Sequence, residues 1–259
     1  MSLRIKENII AFNTILRREI NRFSRLWIQT VVPSVITTVL YFVIFGHVIG
    51  RYVQDINGVS YMAYIVPGLI MMAVMNNAYS NVVSSFFGAK FQHYIEELLV
   101  SPTNNIVILL GYLLGGVVRG VVVGAVVAIV AYLFVPITVH SWSLMIIVCV
   151  FSAILFSLGG FINAIFARKF DDISLIPTFI LTPLIYLGGV FYSIKLLPPL
   201  WQTVSLFNPV LYMINAFRYS MLGISDIDIT IALLMLCGFG VLLFLWSWYL
   251  LVKGVGLRN

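Results

Sequence analysis

Apolar residues run through this chain in long blocks, and short polar stretches punctuate them. A helix needs ~20 apolar residues to cross the ~30 Å hydrocarbon core of a bilayer. Six stretches reach that length, at roughly 27–50, 62–88, 105–135, 142–166, 173–193 and 229–252, and each predicts a transmembrane helix. The third and fourth are joined tightly around Pro136 and His140, which makes them an antiparallel hairpin. No linker rich in Pro, Gly or Ser divides the chain and no internal repeat is visible, so 1–259 reads as one transmembrane domain of the all-α class.

Residues 1–25 are amphipathic instead. Ile5, Ile9, Phe12, Leu16, Ile20 and Phe23 recur at spacings of three and four, an apolar stripe at helical period. Arg4, Lys6, Arg17, Arg18, Arg22 and Arg25 occupy the opposite face. Such a helix lies in the headgroup plane, its stripe in acyl chains and its cations near anionic lipid. The other reading is a cytosolic helix packed on a partner. The apolar run that follows is longer than a signal-peptide core and lacks a small-x-small cleavage site, so it reads as the first retained span.

Composition narrows the picture. Hydrophobic residues make up 61% and charged residues 9% of 259 positions, with a mean hydropathy of +1.07. A soluble domain carries roughly 25% charged residues, so hydrocarbon is this chain's main solvent. The net charge of +6 does not spread over a nucleic-acid-binding face. It flanks the apolar runs, as orientation signals do. With the N-terminus inside, the inner segments hold the six cations just named plus Lys90, Arg168, Lys169, Lys253 and Arg258. The outer segments hold Arg51, Lys195 and Arg218. Both ends are therefore expected in the cytoplasm. Cys149 and Cys237 fall inside apolar runs, which suits lipid-facing or packed small residues better than a disulfide.

Two segments between spans stand out. Residues 90–101 follow Gly88 and stop before Pro102, which disfavours helix in the residue before it. Phe91, Tyr94, Ile95, Leu98 and Leu99 share one helical face, while Gln92, His93, Glu96 and Glu97 cover the rest. A short amphipathic helix with an acidic edge suits a lever gripped by a partner's groove. A helix resting on the membrane surface is the alternative, and the anionic inner leaflet opposes it. On the outer side, Pro198-Pro199 breaks the chain, Trp201 follows, and Asn208-Pro209 reads as an N-cap with proline in the first turn. Each piece of 198–222 is apolar but shorter than a span. Two re-entrant helices fit, their backbone buried by protein; a loop lying flat on the outer surface is the alternative.

Catalytic chemistry is missing from the pattern. No Gly-x-x-x-x-Gly-Lys-Ser/Thr loop occurs, so the chain lacks the amide cradle for ATP phosphates. His47, His93 and His140 fall in separate segments and read as interfacial, not as a metal cluster. No catalytic or metal-ligating set emerges, which sets a membrane-embedded enzyme aside. Asp55, Asp171, Asp172, Asp226, Asp228, Glu7, Glu19, Glu96 and Glu97 all lie outside the span interiors. That weighs against an ATP-independent channel or ion-coupled secondary transporter, the alternative function, because a coupled ion needs a buried counter-charge.

Arg119, within the third span, is the one intramembrane ionisable residue by this reading. It lines a pathway for anionic substrate, or it snorkels or pairs with Asp171 or Asp172. Asn77, Asn81 and Ser84 share a face of the second span, which packs on another helix or borders a cavity. Pro177, Thr178, Thr182 and Pro183 predict a kinked, adaptable fifth span. Gly111, Gly115, Gly116, Gly120 and Gly124 are small-xxx-small steps for close helix contact.

With these residues in view, the chain resembles the ABC type-2 transporter permeases, the membrane halves of exporters. The shared features are a basic amphipathic N-terminus, six spans, Glu96-Glu97-Leu98-Leu99-Val100-Ser101-Pro102 and Phe207-Asn208-Pro209-Val210-Leu211-Tyr212. Three further stretches, 65–72, 170–175 and 187–192, look like bacterial inner-membrane members of that family. The resemblance implies a homodimer in the inner membrane with two cytoplasmic ATPase subunits, which supply ATP and Mg binding. It makes 90–101 the coupling helix, with Lys90, Phe91, Tyr94, Ile95, Glu96, Glu97, Leu98, Leu99, Ser101 and Pro102 at the ATPase contact. It makes Asn77, Asn81, Ser84, Thr178, Thr182 and Arg119 candidates to line the pathway. Pro198, Pro199, Trp201, Asn208 and Pro209 become the outer gate, and 1–25 the interfacial connecting helix. The apolar walls favour a lipid-like or amphipathic cargo over a small ion.

Overall fold

The computed structural model describes residues 2–50, 52, 55, 56 and 58–256. Arg51 and Arg258, counted above for orientation, lie outside the described residues, as do the side chains of Arg4 and His47. The described residues form helices and no sheet. In chain order these are α1 (Ser2–Arg25), α2 (Trp27–Tyr41, continued by a π-helical stretch Phe42–Ile49), α3 (Tyr61–Phe91), α4 (Tyr94–Val100), α5 (Asn105–Phe134) and α6 (Trp142–Phe166). Then follow α7 (Asp172–Ile176), a π turn Pro177–Leu181, α8 (Thr182–Leu187), a 3-10 turn Ile194–Leu196, α9 (Pro199–Leu206), α10 (Pro209–Leu222) and α11 (Ile229–Lys253).

Five of these are long and apolar enough to cross a membrane: Trp27–Gly46, Tyr61–Phe91, Asn105–Phe134, Trp142–Phe166 and Ile229–Lys253. The stretch predicted at 173–193 is shorter and interrupted. Its helical part, Asp172–Leu187, spans about 24 Å at 1.5 Å per residue. Pro183 has no N–H to give the preceding turn. The helix widens there, and both the amide and the hydroxyl of Thr182 donate to the Pro177 carbonyl. Gly189, at φ +77°, then turns the chain out of the helix.

Side-chain caps set the other boundaries. Ser60 Oγ accepts from the Ala63 amide, Asn104 Oδ1 from Ile106, Asn208 Oδ1 from Val210, and Asp228 Oδ1 from Thr230 and Ile231. Gly223 and Gly254 close α10 and α11 in the left-handed conformation.

The core is built around α3, which is buried almost along its length. α5 and α6 pack on it from two sides, and the glycine steps make that possible. A Cβ on Gly120 would sit 2.9 Å from the Val74 carbonyl oxygen, and one on Gly160 would sit 2.6 Å from that of Tyr79. The stripe on α5 has a second partner: Gly111 and Gly115 receive Ile15 and Glu19 of α1. α10 is nearly all buried against α3, α6 and α11, whereas α9 leaves Leu200, Trp201 and Leu206 exposed. The two short helices are thus unlike one another.

Candidate functional site

α4 is a short, largely exposed helix carrying Glu96 and Glu97, and the way it is hung sets its geometry. α3 runs on to Phe91, past the predicted start of the lever at residue 90, so Lys90 and Phe91 belong to its last turn. His93 at φ +62° reverses the chain, the one non-glycine residue with positive φ among the described residues. Such a conformation costs a non-glycine residue roughly 1–2 kcal/mol. The separate short helix is therefore Tyr94–Val100, narrower than the predicted 90–101, with Ser101 extended and Pro102 after it. Ile95 is buried and Leu98 and Leu99 are half-buried, while Phe91, Tyr94, Glu96 and Glu97 are exposed. The five-residue apolar face predicted here is thus divided, because the turn at Gln92–His93 rotates Phe91 and Tyr94 away from the bundle. Glu96 Oε1 lies 2.9 Å from His93 Nδ1, and Ser101 Oγ donates to the Leu98 carbonyl. Lys90 donates to the carbonyls of Ile165 and Ala167, which closes the end of α6.

The polar face of α3 is covered by this same chain. Arg22 of α1 donates to Asn81 Oδ1 at 2.9 Å, to the Asn81 carbonyl at 2.8 Å and to Ser84 Oγ at 3.1 Å. Glu19, fully buried, accepts from Ser85, from Asn81 at 3.3 Å and from Arg22 at 3.2 Å. Arg18 donates to the Tyr112 hydroxyl. One turn along, Asn77 donates to Ser34 Oγ and accepts from Arg119 at 3.3 Å. A continuous polar seam therefore joins α1, α2, α3 and α5.

The seam corrects several expectations. Arg119 does not pair with Asp171 or Asp172; Asp172 accepts from the Arg168 and Lys169 amides at 2.8 and 3.0 Å, at the end of α6. Those two amides hold its carboxyl below the usual carboxylate range. Arg119 sits mid-helix and takes Asn77 instead. Glu19, grouped above with acids outside the span interiors, is packed against two spans. Nor do all the cations of α1 face lipid, since Arg22 turns inward with Glu19 and Ile15. The signal was there: Ile15, Glu19 and Arg22 share a helical edge, and Gly111 and Gly115 repeat the spacing that receives it. Thr178 and Thr182 lie on the exposed side of the interrupted segment.

At the opposite end, a second cluster closes the bundle. Arg218 of α10 is completely buried, with its guanidinium 4.0 Å from the ring centroid of Tyr64. It donates to the Gly189 carbonyl. Tyr64 Oη in turn donates to Asp226, which also accepts from Ser193 Oγ at 2.7 Å and the Ile194 amide at 3.2 Å. The tyrosine thus bridges cation and carboxylate. Reading Arg218 as an outer-segment charge overlooked this, although a lone arginine within Ala216-Phe217-Arg218-Tyr219 was the cue. Asn208 donates to the Leu184 carbonyl at 2.6 Å, tying the α9–α10 elbow to α8. Pro198, Pro199 and Trp201 lie at exposed positions, and Pro209 is half-buried.

The described residues thus form a bundle of apolar helices with a short acidic helix hung at one end and a tied elbow at the other. The chain belongs to the ABC-2 type transporter family, whose profile matches residues 10–222. Over 250 residues it is 55% identical to the inner membrane transport permease YadH of Escherichia coli strain K12, covering 96% of this chain and 98% of that one. It is also similar to Nodulation protein J of Rhizobium leguminosarum bv. viciae, at 23% identity over 240 residues and 91% of each chain. With Nodulation protein J of Rhizobium meliloti it shares 21% identity over 239 residues.

Proposed function

We propose that this permease is the membrane subunit of an ATP-driven exporter, working as a homodimer in the inner membrane with two cytoplasmic ATPase subunits. ATP and Mg bind to those partners, because this chain lacks the phosphate-cradling loop. The observation that carries the reading is α4. It is too short to fold stably alone, yet it is held out from the bundle with Glu96 and Glu97 exposed and Ile95 anchored. A partner groove that grips it moves α3 and α5 with it. Six membrane crossings follow if the interrupted segment reaches across together with residues 188–193, and both chain ends then lie on the lever side. The elbow of α9 and α10 forms the outer gate.

The pathway runs between two copies, where α2 and the interrupted segment Asp172–Leu187 expose apolar faces. Thr178 and Thr182 line it directly, whereas Asn77, Asn81, Ser84 and Arg119 border it only when the polar seam opens. Ion-coupled transport has one feature in its favour, the buried Glu19. Its charge is already matched by Arg22, so it holds helices together and carries no ion.

Reversal of both lever charges, Glu96→Lys with Glu97→Lys, tests the reading. ATPase activity of the reconstituted complex should lose its stimulation by transported cargo while the permease stays folded in the membrane. Stimulation at the wild-type level would refute the lever assignment.

A further inference from the structure

Three helix ends meet beside the lever. The last turns of α3 and α6 and the residues after α11 enclose a cavity of about 690 Å³, lined among others by Phe87, Lys90, Phe91, Phe166, Arg168 and Val255. The C-terminal turn is seated tightly: a Cβ on Gly256 would lie 2.8 Å from the Ile165 carbonyl oxygen. One wall is aromatic. Phe87, Phe91 and Phe166 form it, with Phe91 and Phe166 each more than half exposed, and Phe170 backs it from outside the cavity, its ring centroid 4.9 Å from that of Phe91 and 5.1 Å from that of Phe87. The other wall is cationic. Lys90 and Arg168 approach one another there, and Lys169 and Lys253 lie on the adjoining chain ends. Among the described residues no carboxylate lies within ion-pair distance of these four cations; Glu96 at the rim pairs with His93 instead.

We propose that this cavity binds an anionic phospholipid of the host membrane, its phosphate between Lys90 and Arg168 and an acyl chain against Phe91 and Phe166. Three observations point to that occupant. The cavity lies where membrane-crossing helices end, the level at which headgroups sit. Its balance is positive: Asp172 adjoins Arg168 and Lys169 through their backbone amides, and the cations outnumber it. Basic pockets between transmembrane helices hold acidic headgroups. Its polar half adjoins an exposed aromatic half, which a soluble anion leaves bare and an acyl chain covers. The site includes the joint between α3 and α4, so its occupant braces the lever. The proposal requires only that the helices cross a bilayer and needs no ATPase partner.

The experiment uses the purified full chain in detergent, titrated with phosphatidylglycerol, phosphatidylcholine or water-soluble glycerophosphate, with bound lipid read by native mass spectrometry. Phosphatidylglycerol should bind at least ten-fold more tightly than either of the others. Arg168 is exposed, so Arg168→Gln preserves the fold. It should weaken phosphatidylglycerol about five-fold, the equivalent of the ~1 kcal/mol carried by one basic residue at a membrane surface. Lys195→Gln, at the opposite end, should leave binding unchanged. Equal binding of the two lipids overturns the proposal. So does an equal loss in both variants, and so does glycerophosphate binding as tightly as the lipid, which would make the cavity a soluble-phosphate site.

Discussion

Glu19 decides how the N-terminal helix is used. Its carboxylate gathers donors from α1 and α3, and the missing side chain of Gly115 leaves the space it fills. Replacing it by leucine removes the acceptor from Asn81, Ser85 and Arg22, and hydrogen bonds to charged groups are worth about 1.5–3 kcal/mol each. Glu19→Leu should therefore lower thermal stability in detergent by at least a few degrees, and Gly115→Val should do the same by forcing α1 off α5. An unchanged melting temperature in both would show that α1 is not packed there. Asp228 brings in pH. Amides of Thr230 and Ile231 hold its carboxyl below the ordinary carboxylate range. Its contribution to the start of α11 is then complete above that range and lost as pH falls through the depressed value. Protection of the Thr230 and Ile231 amides, taken relative to the intrinsic exchange rate at each pH, should fall on acidification, and Asp228→Asn should blunt that change.

Elements show which parts of the sequence were self-sufficient. Caps such as Asn208-Pro209 and long apolar runs act within a few residues, so α3, α5, α6, α10 and α11 were legible before any contact was known. The π turn at Pro177–Leu181 and the reversal at His93 were not, because each depends on what a neighbouring segment leaves unsatisfied. The inward turn of Arg22 was hidden for the same reason: an arginine on an amphipathic helix reads as solvated until a matching groove is found. His93 carries the sharpest consequence at this scale. Glycine adopts its conformation freely, whereas a β-branched residue there is a genuine outlier. His93→Gly should keep the lever in place, while His93→Val should displace it. Cysteine labelling at position 96, in a background with Cys149 and Cys237 replaced by serine, reads the difference.

Across the whole molecule, burial is lopsided. α3 and α10 form an interior, while α2 exposes Ile36, Leu40 and Ile44 and the interrupted segment exposes Leu175, Phe179 and Ile180. These two elements adjoin, since the hydroxyls of Tyr41 and Tyr186 are 2.8 Å apart and Phe45 stacks on Phe191. A copy-to-copy contact should therefore run through both. In the same cysteine-free background, Ile44→Cys or Phe179→Cys should give disulfide-linked dimers in membranes, and Val241→Cys on α11 should not. Linking at position 241 alone would move the interface to the other flank.

Gly68 gives the bundle a property that neither end shows by itself. A Cβ at that position would lie 2.7 Å from the Val190 carbonyl oxygen, so the turn beside Arg218 rides directly on α3. At its far end the same helix passes into α4. Thirty-one residues make a rod of about 46 Å, and a ~10° tilt about its middle carries each tip ~4 Å in opposite directions. Close-packed interiors do not absorb such a shift gradually; they settle in one arrangement or another. One rigid beam thus runs from the Arg218 turn to α4, and a disturbance at either end is expected to register at the other.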